Sequence, residues 1–138
     1  MTSVESPTPK SIQYSSGTFE RASRAIRCSP FQLKLMSLMR YESVELNAIA
    51  GSRGVEQGYT RKRLSELSVE NHLMWLIQVG ILRREVDGQG ITDSFRLTPL
   101  GRQLVENAEH QPQGLSAPTW RDRCLNFLHR RFRFSLSA

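Results

Sequence analysis

The stretch from Gly80 to Pro99 restricts the fold more than any other part of the chain. ILRREV at 81–86 and ITDSFRL at 91–97 are two short runs rich in β-formers, separated by the turn residues Asp87-Gly88-Gln89-Gly90. Such runs around a Gly-rich turn predict an antiparallel hairpin. Gly80 in front is a helix-stop residue, and Thr98-Pro99 behind combines a capping hydroxyl with a proline suited to the first helical position. A helix must therefore enter the hairpin and another must leave it. The leaving helix is expected over 99–108, with Leu100, Leu104 and Val105 toward a core.

The entering segment, TRKRLSELSVENHLMWLIQVG from Thr60, is polar in its first half and holds the run Leu73 to Ile77 in its second. At about 100° per residue, Leu64 and Leu67 point away from Val69, Leu73 and Leu76. Either one long helix is sandwiched on two sides, or two helices break near Ser68; the long helix is the expectation. Met74 and Trp75 read most simply as core. Upstream, Ser29-Pro30 predicts a helix over 30–41, and Ser43 caps a second over 44–50 that turns Val44, Leu46, Ile49 and Ala50 inward. Gly51 and Gly54 then supply chain reversal. Residues 18–28 fit a short amphipathic helix with Phe19, Ala22, Ala25 and Ile26 on one face.

The ends differ from this middle. Residues 1–17 are rich in Ser, Thr and Pro and predict a disordered arm. Residues 109–118 read as a linker. From Thr119, with Asp122 three residues on as in a capping box, a last helix is expected. Trp120, Cys124, Leu125, Phe127, Leu128 and Phe132 share one side of its wheel, and Arg123, Asn126, Arg130 and Arg133 the other. Its apolar face needs a cover: a second subunit first, its own domain next, an anionic membrane surface third.

With 138 residues, one domain of 18–108 with appendages is expected. The formal charge of +6 makes an anionic partner plausible, although residues 119–138 carry +4 of it, leaving +2 elsewhere. No apolar run has the length of a signal-peptide core or a membrane span, so a soluble, cytoplasmic protein is expected. Cys28 and Cys124 lack metal-ligand or disulfide-framework spacing and read as small apolar residues. His72, His110 and His129 are equally scattered, and no GxSxG, Walker or GxGxxG pattern occurs. Neither an enzyme nor a bound cofactor or metal is expected.

The order of three helices, a hairpin and a closing helix, mainly α with a small antiparallel β-hairpin, resembles the winged helix-turn-helix. The likeness rests on LMWLIQVGILRREV…FRLTPLGRQLVE. Its entry through Leu73, Leu76, Gly80, Ile81 and Leu82 and its return through Phe95, Leu97, Thr98 and Gly101 resemble the MarR-like and PadR-like regulators over about residues 30–106. The segment from Gly54 to Gly80 is longer than the usual recognition-helix segment of those families. The chain as a whole is also similar to a small cyanobacterial winged-helix family associated with heterocyst differentiation, a likeness no single motif carries.

The resemblance implies a nucleoid-associated transcriptional regulator that binds double-stranded DNA sequence-specifically, as a homodimer reading two half-sites. Under it, the recognition helix begins near Thr60 and presents Arg61, Lys62 and Arg63 at its N-terminus to phosphates or a guanine edge. Asn71 is a candidate adenine reader, and Ser65 and Ser68 are candidate backbone or base contacts. On the wing, Arg83, Arg84 and Arg96 flank the tip; adjacent Arg83 and Arg84 face opposite sides, so only one meets DNA. Pairing of these arginines with Glu85 or Asp93 is the competing reading. Trp120, Cys124, Phe127 and Leu128 are the candidate dimer or partner contact. Two other classes stay open: a winged-helix protein-interaction module, and a membrane-peripheral adaptor acting through the last helix.

Overall fold

The computed structural model describes residues 14–131, so most of the expected arm, together with Phe132 and Arg133, lies outside the described residues. Among these residues the fold is mixed, with seven helices and one three-stranded antiparallel sheet. Helix α1 (Ser16–Cys28) buries Ala22, Ala25 and Ile26. It starts two residues ahead of the expected boundary, because the Ser15 hydroxyl accepts the Thr18 amide at 3.1 Å. Its end corrects a second expectation. The Ser29 hydroxyl donates to the Ile26 carbonyl at 2.8 Å, so it closes α1 instead of opening the next helix. Phe31 forms an isolated antiparallel bridge with Thr60, and the Gln32 amide donates to the Tyr59 carbonyl at 2.8 Å. That pairing keeps Phe31 and Gln32 out of the helix, and α2 is confined to Leu33–Met39.

The segment expected as a helix over 44–50 is divided. Val44 and Glu45 form β1, opposite Phe95 and Ser94; Leu46–Ile49 make the one-turn α3; Ala50 is extended; and α4 follows over Gly51–Glu56. Ser43 caps nothing here, since Glu45 holds the N-cap position of α3. Strand β1 adds a third member to the expected hairpin, β2 (Leu82–Asp87) with β3 (Gly90–Leu97), giving the order β1-β3-β2. Leu82 faces Leu97 and Arg84 faces Phe95, with a bulge between Arg84 and Val86.

Helix α5 spans Glu66–Gln78, not the full run from Thr60. Its end is a Schellman motif at Gly80, which adopts φ +91°; the Gly80 and Ile81 amides donate to the Ile77 and Leu76 carbonyls at 3.0 and 2.9 Å. Thr98 then ties this exit to α6 (Pro99–Glu109). Its hydroxyl accepts the Gly101 amide at 3.1 Å and donates to the Gly80 and Ile81 carbonyls. Thr98→Ala removes both roles, and its unfolding free energy in urea is expected to fall by about 1–2 kcal/mol, with Thr98→Ser near wild type. An unchanged Thr98→Ala midpoint would contradict this.

One core joins α1, α2, α5, α6 and the inner sheet face, with Leu35, Met36, Leu73, Leu76 and Leu97 fully buried. Trp75 belongs to it, whereas Met74 is partly exposed, its sulfur 3.3 Å from the Arg84 guanidinium. Helix α7 (Trp120–Arg131) is the last described element and packs on α1.

Candidate nucleic-acid interface

Arg61, Lys62 and Arg63 form an exposed basic cluster between α4 and α5, and the loop holding it is pinned on both sides. Before it, Tyr59 and Thr60 are buried, and their amides donate to the Gly54 carbonyl at 2.8 and 3.3 Å. After it, Leu64 is buried and its carbonyl accepts the Gly51 amide at 2.8 Å. Between these anchors the three side chains are exposed and have no hydrogen-bond or ion-pair partner among the described residues. The side chain of Lys34 runs past the same loop at Gly58. The triplet thus precedes α5 and does not form its first turn, which corrects the expected recognition-helix start. Ser65 is the actual N-cap, its hydroxyl accepting the Ser68 amide at 3.1 Å. Leu67, expected on an inner face, is 67 % exposed.

The other expected contacts are not gathered into one basic surface. Ser65 is occupied as the cap and Ser68 is half-buried. Asn71 is exposed, and its carbonyl accepts from Arg130 at 3.1 Å. Helix α5 contains no Lys or Arg and carries Glu66 and Glu70. On the hairpin, Arg83 pairs with Glu85 at 2.6 Å, and Arg84 with Asp93 at 2.7 Å while lying over the Phe95 ring. Arg96 donates to the Tyr41 carbonyl at 3.1 Å. The competing pairing reading therefore describes Arg83 and Arg84. Beside the hairpin a groove of about 390 Å³ is lined by Glu45, Glu66, Asp87 and Asp93, and Val86 and Ile91 stand exposed opposite each other. Residues 29–111 hold ten basic and ten acidic side chains, so the net charge of +6 comes from the flanks.

Helix α7 meets its own domain, but not chiefly through the apolar stripe, which corrects the second of the three expected covers. Thr119 and Asp122 form the capping box, each accepting the other's amide at 3.1 and 3.0 Å. Asp122 also binds Arg27 at 2.6 Å, Trp75 Nε1 donates to Asn126 at 2.9 Å, and His129 lies 3.4 Å from Arg24. The docked face is thus largely the polar one, because α1 and α5 offer polar partners there. Trp120, Cys124, Phe127 and Leu128 are left exposed, the cysteines are free thiols, and among the described residues of the apolar stripe Leu125 alone is half-buried.

These contacts titrate. The hydrogen bond from Arg27, with help from Thr119, holds the Asp122 carboxyl at about 2. His72 and His129 lie below the ordinary imidazole value, through burial first and then the neighbouring Arg130, and Arg24 and Arg21, respectively. A lowered histidine favours the docked state when neutral. Docking is at full strength above the unfolded value near 6.5 and weakens as pH falls through it toward the lowered folded values. The Asp122 contact is lost only as pH falls below about 4 toward 2. Hydrogen-exchange protection of residues 122–131 is expected to drop severalfold from about pH 7.5 to about 5.5 after correction for intrinsic rates. His72→Gln with His129→Gln should flatten that dependence; a wild-type profile without it would refute the coupling.

No helix among the described residues is long and apolar enough to cross a membrane, and no group of His, Cys, Asp and Glu there is arranged to hold a metal ion. No curated protein and no solved structure matches the chain. Residues 12–130, which take in all of α1 through α6 and nearly all of α7, match one family, and the chain belongs to it: the Npun_F0494-like family.

Proposed function

We propose that this chain is a winged-helix regulator that binds duplex DNA, with Arg61, Lys62 and Arg63 on the phosphates. The order α2, β1, α3 and α4, α5, β2, β3, with the sheet ordered β1-β3-β2, supports the winged-helix reading. The observation that carries the DNA reading is the partnerless basic triplet pinned ahead of the capped start of α5. In this arrangement α5 is the helix that enters the major groove, and the loop before it lies against the backbone. With no cation on α5, affinity comes from the loop, and base choice falls to groups such as Asn71.

Fluorescence anisotropy with a labelled random duplex tests the proposal. Binding that strengthens steeply as salt falls from about 200 to about 50 mM is expected. Absence of binding at the lower salt would overturn it. A second reading, a protein-interaction module, is favoured by the acidic groove next to exposed Val86 and Ile91, which suits a basic partner segment.

A further inference from the structure

We propose that the outer face of α7 docks on an anionic lipid bilayer surface. Trp120, Cys124, Phe127 and Leu128 follow one another at helical spacing, and Trp120, Phe127 and Leu128 are 78, 58 and 45 % exposed. Taking an aromatic side chain at 150–250 Å², the stripe leaves on the order of 400 Å² of apolar surface bare, a size that on monomers often has a function. Docking to the body does not use it, since Asp122, Asn126, His129 and Arg130 make those contacts.

The charges on this face select the occupant. Helices α1 and α7 together carry seven arginines against Glu20 and Asp122. Asp122 is engaged by Arg27, so the exposed charges of α7 itself are the cations Arg121, Arg123 and Arg131, the last lying over the Phe127 ring. Whatever covers the stripe must be apolar and anionic together. A bilayer with anionic headgroups offers both, acyl chains to the aromatic residues and phosphates to the flanking arginines. A second copy offers apolar surface but sets the same arginines against these, with no acid of α7 left to pair them. An amphipathic helix lying in an interface keeps its polar side away from the lipid, and here that side rests on α1 and α5.

The test uses the full chain with phosphatidylcholine vesicles, with and without phosphatidylglycerol. Trp120 is a built-in probe, because Trp75, the other tryptophan, is 5 % exposed and shielded. Roughly hundredfold tighter binding to the anionic vesicles is expected, the factor that three arginines near a charged surface supply, with a blue shift of Trp120 emission. Trp120→Ser with Phe127→Ser, both at exposed positions, should abolish co-sedimentation while leaving the circular dichroism spectrum and the binding of duplex DNA unchanged. Equal binding to both vesicle types, or wild-type binding by the double variant, would overturn the proposal. So would a concentration-dependent dimer that the double variant dissociates and that ignores vesicles, which assigns the face to a second copy.

Discussion

Gly54→Ala is expected to destabilise the domain by about 3 kcal/mol or more, at or beyond the upper end of ordinary overpacking. A Cβ at this position would stand 1.8 Å from the Ile49 carbonyl oxygen, where backbone cannot yield without moving α4 away from α3. The consequence reaches the candidate site. The Gly54 carbonyl receives the Tyr59 and Thr60 amides that shape the basic loop, so displacement of α4 loosens both anchors at once. Urea denaturation followed by circular dichroism gives the value. Gly17→Ala is the control, since a Cβ there meets nothing within 4 Å in the first turn of α1, and it should be neutral or stabilise by up to about 1 kcal/mol. A Gly54→Ala variant within about 0.5 kcal/mol of wild type would contradict the close approach of α3 and α4.

Removing all three loop charges, Arg61→Ala, Lys62→Ala and Arg63→Ala together, is expected to reduce the salt slope of DNA binding by about 2.7, at about 0.9 per phosphate contact. Affinity near physiological salt should fall by one to two orders of magnitude for every sequence tested, as phosphate contacts carry no base preference. Stability should stay within about 0.5 kcal/mol, because the three side chains are exposed and unpartnered. The hairpin supplies a contrast. Arg83 is already paired with Glu85 at 2.6 Å, so Arg83→Ala should change affinity far less than the triple substitution. An unchanged slope in the triple variant would remove the loop from the phosphate interface.

The features legible in the sequence are those whose partners are near neighbours. The hairpin follows from strand formers around a Gly-rich turn, the start of α6 from Thr98-Pro99, and the start of α7 from Thr119 and Asp122, three residues apart. Ser29-Pro30 misleads because a serine hydroxyl serves a helix end as readily as a helix start, and here it bonds back to Ile26. The long helix from Thr60 fails for a tertiary reason. Thr60 is 1 % exposed and bridged to Phe31, a pairing across 29 positions that local periodicity does not register.

The face of α7 was illegible for the same reason. A helical wheel groups Trp120, Phe127 and Leu128 on one face without saying what covers it, and the groups that fix the orientation, Arg27 and Trp75, are 95 and 51 positions from their partners Asp122 and Asn126. The basic triplet is legible in the sequence as a run of three cations but its loop setting is not, and the neutralisation of Arg83 and Arg84 within the hairpin depends on side-chain pairing that alternation alone leaves open. The neutral charge of residues 29–111 was legible by counting, and it makes the loop the decisive feature of the DNA reading.

The most direct test of that reading is an amide chemical-shift map of the full chain titrated with a short duplex DNA. The largest shifts are expected at residues 57–65 and in the first turn of α5, with residues 120–131 little affected. Shifts confined to α1 and α7, with the loop unmoved, would contradict it and assign the anion-binding surface to the flanking helices.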